Sequence, residues 1–426
     1  MKRRKRPLAV FIVFAVLFGT AGCQKSGGQT EEQGAKLSIY LLEESPLIEV
    51  IDDYNDKQEN TADQIDITTF PADDYENMYK KITNELLAGE GPDLFYFDIT
   101  SNININQLVS QGAFQDVREA GIELPYDDEF AGYHSIVPIS YTVPLLFTSK
   151  DICRQYGIDS EEAVLSGETV FGLGEKGIPV VAAPNDFLDI VYEDYIDFDK
   201  KQNTFKSNKF KKLLAGLGEL RGFDQEQEDV CYYGLNAREF SAMEKNEVMF
   251  SMTYTLSSPL DIVVLSNKLQ KEAGKELAVF GFASDGGQVR AYANEEVAIN
   301  ANSDKTKAAA AFVEYLLSDE VQGCTKEGDR KLSGIPVSEK SRNADIEMMT
   351  EAPYKENYTD IDSGINPELQ DRYKVICDSV TSCVVRDNAY KYNVFDEIAK
   401  EYKGGKISID NFTEELDKKT QLYLNE

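Results

Sequence analysis

The sequence predicts an α/β protein, and three features of its N-terminal part lead to that expectation. Apolar residues alternate from Lys36 to Leu42, as in a strand, and Ile65 to Phe70 is a second strand-like run. Between them, from Pro46 to Gln58, apolar residues recur three or four positions apart, as on one face of a helix. Strands that alternate with helices form a largely parallel sheet with both faces covered. At 426 residues and 42% hydrophobic content, the chain is long enough for two substantial domains.

The segment from Asp73 to Asp98 is the clearest helix and strand unit. The apolar stripe of its helix consists of Tyr75, Met78, Tyr79, Ile82 and Leu86. Gly89 and Gly91 supply the backbone freedom to end this helix, and Pro92 cannot continue it. A buried strand is expected from Leu94 to Phe97.

Two strand ends in this region are candidates for a binding site. In open α/β sheets, ligands bind beyond the carboxyl ends of the strands. Phe97 and Asp98 end one such strand, and Glu43 and Glu44 follow the first strand. We therefore expect these four residues at one edge of the sheet, with Phe97 as a stacking surface for a ligand.

The net charge excludes one class of partner. The formal charge of −31 repels phosphate backbones, so we expect no nucleic acid to bind.

The N-terminus has the pattern of an export signal. A basic segment at residues 2–6 precedes an apolar run from Leu8 to Phe18, which is short for a transmembrane helix. Ala21 and Gly22 before Cys23 resemble the cleavage motif of bacterial lipoproteins, although Thr20 stands where Leu is usual. This resemblance implies a signal peptide at 1–22, lipidation of Cys23 and a polar tether at 23–35. A plain secretory signal is the alternative, and both place the protein outside the cytoplasm.

The remaining cysteines are Cys153, Cys231, Cys324, Cys377 and Cys383. Their spacing fits neither a redox pair nor a zinc site, so we expect structural thiols, no metal and no cofactor. If residues 369–385 form one helix, Cys377 and Cys383 lie on different faces, and no disulfide is expected between them.

Four segments, taken in order, resemble the extracellular solute-binding proteins of carbohydrate-type ABC importers (family 1). The first is the turn at residues 88–93, Ala-Gly-Glu-Gly-Pro-Asp. The second, Val137 to Asp151, has the family's Pro-containing crossover and the Lys-Asp that ends the next strand. Placing that crossover near Ser140 to Val143 puts Tyr141 and Thr142 at a cleft.

The third and fourth segments supply further candidate ligand contacts. Asn236 to Tyr254 resembles the family's helix, turn and strand that lead into the sugar site, with Asn246 in place of the turn glycine. Thr253 takes the small-residue position, and Tyr254 falls where the aromatic residue belongs. Asn294 and Glu295 stand where the family often has Gly-Gly, and residues 333–336 resemble a third crossover. A possible strand at 180–184 adds Asn185 beyond its end.

The resemblance implies a two-lobed, periplasmic-binding-protein-like type II fold with a hinge between the lobes. The N-terminal lobe would comprise 36–140 plus 290–332, and the C-terminal lobe 141–289 plus 333–426. It also implies a monomeric binding protein, not an enzyme, that captures a sugar or oligosaccharide and delivers it to a membrane permease.

The ligand class stays open at the level of the residues. The chain has 23 Tyr and 22 Phe that could stack on sugars, but no Trp, which many sugar clefts of the family use. The carboxylates of Glu43, Glu44, Asp98 and Glu295 could bind sugar hydroxyls, or instead a polyamine or a basic peptide. A scaffolding or sensing lipoprotein is a further alternative. No hydrolase motif appears in the sequence.

Overall fold

The computed structural model describes residues 36–425 apart from 160–161, 175–183, 220–230, 233–234, 237–242, 247–248, 254–256, 284–287, 324–329 and 352–362. The strands are Leu37–Leu42 (β1), Ile65–Phe70 (β2), Leu94–Asp98 (β3), Val137–Thr142 (β4), Leu145–Ser149 (β5), Val164–Ser166 (β6), Ile196–Asp197 (β7), Gln202–Asn203 (β8), Cys231–Tyr232 (β9), Leu235–Asn236 (β10), Ser251–Thr253 (β11), Leu277–Ala283 (β12), Val289–Ile299 (β13), Ile335–Pro336 (β14) and Val380–Val384 (β15). The helices are Leu47–Lys57 (α1), Tyr75–Leu87 (α2), Ile105–Ser110 (α3), Asp128–Ala131 (α4), Lys150–Tyr156 (α5), Gly167–Gly174 (α6), Pro184–Val191 (α7), Asn208–Glu219 (α8), Pro259–Ala273 (α9), Thr306–Leu316 (α10), Asp319–Gln322 (α11), Glu339–Met348 (α12), Pro367–Asp378 (α13), Asn388–Tyr390 (α14), Asp396–Lys403 (α15) and Ile409–Tyr423 (α16). A π-helical turn at Lys391–Phe395 joins α14 to α15.

The main sheet confirms the predicted α/β fold. Its central order is β11-β5-β12-β13-β3-β1-β2, and β4, β6, β14 and β15 attach to this path. The strands β1, β2 and β3 pair in parallel, as the alternation of strands and helices predicts. The strand β13 then joins β3 antiparallel, so the sheet as a whole is mixed.

Strand β13 carries the chain from one lobe to the other. Its first residues, Val289 to Tyr292, pair with β15, whereas Glu295 to Ile299 pair with β3. Two further connections lie beside it. The strand β4 pairs with β13 and β14, and the chain then passes into β5, which pairs with β11 and β12. The lobes are therefore linked by adjacent strands, an arrangement that permits hinge motion.

One face of β1 packs against helices in the core of the N-terminal lobe. Leu37, Ile39 and Leu41 alternate inward and are buried with Val50 of α1 and Phe312 of α10. Between these residues, the side chains of β1 point to the opposite face of the sheet and are half-buried.

Asp93 fastens this lobe at the Gly-Pro-Asp turn. Its Oδ2 accepts hydrogen bonds from the backbone N of Ser38 (2.9 Å) and from Lys305 Nζ (3.0 Å), and its Oδ1 accepts one from Ser303 Oγ (2.6 Å). Burial alone would raise the pKa of Asp93, but the donors hold it below its ordinary value. The turn therefore ties β1 to the start of α10.

The C-terminal lobe has an aromatic core. Tyr192 stacks on Phe395, with ring centroids 4.1 Å apart, and Tyr195 packs against Phe210 at 4.6 Å. These contacts join the π-helical turn and α8 to the short helical turn after α7, and each contributes roughly 0.5–1.5 kcal/mol beyond the buried area.

The structure differs from the sequence-based prediction in the C-terminal lobe. Residues 369–385 are not one helix, because α13 ends at Asp378 and the β-branched run that follows pairs with β13 as β15. The possible strand at 180–184 lies outside the described residues except for Pro184, which begins α7. Cys153, Cys377 and Cys383 are buried free thiols. Among the described helices, none is long and apolar enough to cross a membrane.

Candidate functional site

The two lobes touch along the loop that follows β3. Asn388 Nδ2 donates to the carbonyl oxygen of Ile99 at 3.0 Å, and Asn106 Nδ2 donates to Asp387 Oδ2 at 2.8 Å. Both bonds connect the N-terminal lobe with the start of α14 in the C-terminal lobe. The lobes are therefore joined by side-chain hydrogen bonds beside the connecting strands.

A cavity of about 420 Å³ opens between the lobes beside this contact. We call it the first cavity. Its walls include Tyr79, Thr83 and Asn84 of α2, Asn102 of the loop after β3, and Ala389 and Asn393 near α14. Its volume lies within the range of ordinary small-molecule sites, roughly 300–1,000 Å³.

Amide side chains dominate the polar lining of the first cavity. Those of Asn84, Asn102 and Asn393 make no hydrogen bond to any residue in the described part of the chain. Each carries both a donor and an acceptor, which a ligand rich in hydroxyl groups can satisfy. The lining is therefore chemically suited to a neutral polar ligand.

In the loop that holds Asn102, buried isoleucines alternate with partly exposed asparagines, and this pattern orients the loop. Ile103 and Ile105 are each 2% exposed and enter the core, so Asn102, Asn104 and Asn106 are left on the outer side. The side chain of Asn104 also caps α3, accepting a hydrogen bond from the backbone N of Gln107 at 2.9 Å. This alternation was the sequence signal by which the amides could have been found.

Charged groups that line the first cavity, and Asp98 at the end of β3, have partners within the protein. Lys80 pairs with Glu76 at 3.3 Å on the exposed face of α2. The Oδ1 atom of Asp98 accepts from the backbone N and the hydroxyl of Thr100, at 2.8 and 2.7 Å. Asp98 therefore fixes the turn after β3, and its role as a ligand contact stays a prediction.

Burial also keeps Tyr79, which lines the first cavity, in its neutral form. The hydroxyls of Tyr79 and Ser101 are hydrogen-bonded at 2.7 Å, and burial, assisted by the charge of Asp98, raises the pKa of Tyr79.

Glu43 and Glu44 lie in the turn after β1 with exposed side chains, at the sheet edge where the sequence places them. The adjacent rings of Tyr40 and Phe70 meet edge to face at 5.6 Å, and Lys81 Nζ lies 4.7 Å from the Tyr40 ring. No sequence motif indicated this half-buried aromatic pair.

Phe97 does not face the cleft. Its ring is 1% exposed and lies 6.2 Å from Phe95 and 6.1 Å from Phe114. No face of the ring is free for a sugar, so the predicted stacking role conflicts with its position. The sequence predicted the end of β3 correctly. Because side chains alternate between the two faces of a strand, the side chain of Phe97 points into the core.

Tyr141 and Thr142 end β4 at the crossover to β5, as expected, but both are buried. Arg342 Nη1 donates to the Tyr141 hydroxyl at 3.5 Å, and the hydroxyl of Thr142 has no partner in the described residues. We assign Tyr141 to the hinge core; ligand contact by Thr142 stays a prediction.

Glu295 joins the three connections between the lobes. Its Oε1 accepts from the Tyr96 hydroxyl at 2.8 Å, and its Oε2 accepts from Ser140 Oγ at 2.8 Å and from the backbone N of Ser333 at 3.1 Å. Asn294 Nδ2 adds a bond to Ser333 Oγ at 2.8 Å. The oxygens of Glu295 are thus already used within the protein.

This pattern corrects the sequence-based role of Glu295, which is buried. Burial raises the pKa of Glu295, and the three donors oppose that rise only in part. Glu295 therefore acts on the hinge and not on a ligand in this arrangement, whereas ligand contact by the partly exposed Asn294 stays a prediction.

Three further predicted contacts are only partly visible. Asn185 lies in α7 and Thr253 ends β11, but their side chains lie outside the described part, as does all of Tyr254. Cys23 is also outside the described residues. Asn246 has a φ of +57°, the backbone region that favours glycine, which agrees with its predicted replacement of a turn glycine.

Comparison with known proteins identifies the fold. Neither a scan against protein-family models nor a search of curated proteins gives a match. Among solved structures, a putative oligosaccharide periplasmic-binding protein from a Synechococcus species has 14% identity and a TM-score of 0.58, over 92% of this chain and 99% of that one. An extracellular solute-binding protein of family 1 from Alicyclobacillus acidocaldarius has 15% identity and a TM-score of 0.56, over 93% and 100%.

A third structure, the cyclic alpha-maltosyl-1,6-maltose binding protein from Arthrobacter globiformis, has 15% identity and a TM-score of 0.55, over 92% of this chain and 99% of that one. The chain therefore has the two-lobed fold of the solute-binding proteins of ABC importers, as its sequence segments predict.

Proposed function

We propose that this chain is the extracellular solute-binding component of an ABC importer and that it binds a sugar or oligosaccharide between its lobes. The observation that carries the proposal is the first cavity, where unpaired amides of both lobes converge. The solved neighbours are named as binding proteins for oligosaccharides and cyclic maltosides, which supports the same ligand class here and a binding role without catalysis.

The mechanism follows from where the ligand would sit. A ligand that contacts Asn102 of one lobe and Asn393 of the other has more interactions when the lobes are closed, so it shifts the population toward closure. A membrane permease can then distinguish the closed, loaded form from the open one. The hinge strands around Glu295 would carry this motion.

The remaining parts of the proposal concern location. The lipoprotein-like motif supports lipidation of Cys23 and attachment to the outer face of the cell membrane, with residues 24–35 as the tether. A single chain contains both walls of the cleft, which supports a monomer. No cofactor or metal is part of the proposed function.

Thermal unfolding of a soluble protein that begins after Cys23 tests the proposal. A ligand that binds only the native state stabilises it by about 2.7 kcal/mol at a hundredfold excess over Kd. We expect stabilisation by one class among monosaccharides and oligosaccharides. Stabilisation by polyamines or basic peptides alone would replace the sugar assignment with a cationic ligand, and no response to any compound would favour a scaffolding role.

A pair of variants connects the response with the first cavity. Asn102→Ala combined with Asn393→Ala removes unpaired amides and should weaken sugar binding by roughly 1–3 kcal/mol, about 0.5–1.5 kcal/mol per hydrogen bond, without changing unliganded stability. Asn411→Ala, at an exposed asparagine of α16, is the matched control. Equal sugar responses in both proteins would place the site elsewhere.

A further inference from the structure

A second cavity, of about 360 Å³, lies on the other side of the interlobe contact. It is bounded by α3 of the N-terminal lobe, by the turn between β7 and β8, and by the C-terminal end of α16. Asn104 lines both cavities, so the two are neighbours at this residue.

Aromatic rings form one part of its wall. Tyr133, Phe198 and Tyr423 line the second cavity, and each is partly exposed. Phe198 and Tyr423 both pack edge-on against the buried ring of Tyr390, with centroids at 5.7 and 5.3 Å. The Tyr423 hydroxyl donates to Asp387 Oδ1 at 2.8 Å, which fixes that ring further. The rings are thus held in place before any ligand arrives.

Amide groups form another part of the wall. Gln107 and Gln111 are four residues apart at the end of α3 and line the cavity together. Within the described part of the chain, neither side chain makes a hydrogen bond. Asp199 and Lys201 contribute one charge of each sign at the β7–β8 turn, so the lining selects for neither anions nor cations.

We propose that the second cavity is a further sugar subsite and that one oligosaccharide occupies both cavities, passing over Asn104. This inference rests on the proposed function and extends it to ligand length. Partly exposed aromatic rings cover the apolar C–H faces of a sugar, and free amides pair with its hydroxyls. A monosaccharide fills one cavity only, whereas a longer chain gains contacts with both, including the three rings and the two glutamine amides that line the second cavity and not the first.

Isothermal titration with maltooligosaccharides and chitooligosaccharides, each from the monosaccharide to the hexasaccharide, tests the proposal. We expect the affinity of the wild-type protein for one series to rise with chain length. Phe198→Ala should then lower the affinity for the longer members by about tenfold or more and leave the affinity for the shortest bound member unchanged. The double variant Gln107→Ala with Gln111→Ala, which removes no buried ring, should give the same length-dependent loss.

A control and the contrary outcomes complete the design. Gln58→Ala, at the end of α1 and in neither cavity, should bind every member as the wild type does. If sugars bind but the glutamine variant shows equal loss, or no loss, at all lengths, the subsite is wrong while the proposed function stands. If the wild-type protein binds no member of either series but is stabilised by cationic ligands, the proposed sugar function itself fails.

Discussion

Glu296 is a buried acid for which no described residue is shown to provide a compensating charge or hydrogen bond. It lies on β13 opposite Phe97 and Pro138, is 4% exposed, and makes no hydrogen bond to the described residues. The titratable groups that face it are Asp98 of β3, Tyr79 of α2 and Cys383 of β15, and none can be positive. Burial, together with the charge of Asp98, raises the pKa of Glu296 well above its ordinary value.

Replacing Glu296 with Gln should therefore change how stability depends on pH. Above the ordinary glutamate pKa the unfolded chain releases the proton of Glu296 while the folded protein keeps it, so wild-type stability falls as pH rises through this window. The variant lacks this loss, and its advantage should grow by up to about 1.36 kcal/mol per pH unit. Urea unfolding across the acidic to neutral range measures the difference.

The exposed Glu401→Gln is the control for that experiment, since its side chain is in solvent in the folded state. Parallel pH profiles for Glu296→Gln and the wild type would mean that Glu296 is not buried as described.

Phe97 provides a second prediction at the scale of one residue. Because its ring is enclosed by Phe95 and Phe114, Phe97→Ala should lower the free energy of unfolding of the unliganded protein by about 3–5 kcal/mol. Tyr75→Ala, which removes a ring that is 43% exposed on α2, should cost far less. If Phe97→Ala has wild-type stability without ligand but no longer binds sugar, the predicted stacking role of Phe97 would be correct after all.

At the scale of elements, the hinge depends on a close approach at the third connection. Gly334 has a φ of +79°, and a Cβ atom there would lie 2.8 Å from the carbonyl oxygen of Tyr141 and 3.2 Å from Asn294 Nδ2. Gly112 has a similar φ of +68°, but nothing lies within 4 Å of the corresponding position. The two glycines share the backbone constraint and differ in their surroundings.

This pair gives a matched test. Both Gly→Ala changes force a left-handed alanine, at about 1–2 kcal/mol. Gly334→Ala should cost a further 1–3 kcal/mol or so, because the connection must move away from β4. Urea unfolding of the unliganded proteins measures both, and equal losses would show that the close approach at Gly334 is absent.

The elements that the sequence predicted best have strong local patterns. The bounds of β2, Ile65–Phe70, agree with the prediction. The predicted stripe of α2 is buried from Met78 to Leu86, but Tyr75, at the first position of the helix, is exposed. In contrast, residues 380–384 became a strand because pairing with β13 outweighs the helical spacing seen upstream. Local periodicity could not reveal a partner that lies far away in the sequence.

The candidate site was harder to predict for a related reason. Strand ends indicated the sheet edge after β3, but which side chains turn toward the cleft depends on the register between β3 and β13. Glu295 and Phe97 turn into the hinge and the core. Asn102 could have been recognised from its alternation with Ile103 and Ile105, whereas Asn393 contributes through a π-helical turn that no sequence pattern indicated.

At the scale of the whole molecule, two side-chain hydrogen bonds join the lobes beside the cavities. The contacts from Asn106 to Asp387 and from Asn388 to Ile99 cross between the lobes, and the two cavities flank them. Hydrogen bonds of this kind contribute only about 0.5–1.5 kcal/mol each. We therefore expect a ligand that bridges the lobes to have a large influence on the balance between open and closed forms.

Removing those bonds should favour the open form of the unliganded protein. Asn106→Ala with Asn388→Ala is expected to increase the radius of gyration measured by small-angle X-ray scattering without sugar, and a saturating sugar should restore the wild-type value. An unchanged radius in the variant would mean that other contacts keep the lobes closed.

The most direct test of ligand binding between the lobes is a crystal structure of the protein with the sugar that stabilises it most. We predict a sugar between the lobes, in contact with Asn102 and Asn393. A sugar bound instead on the surface of the C-terminal lobe, for example in the groove lined by Lys150 and Arg372, would contradict the proposal.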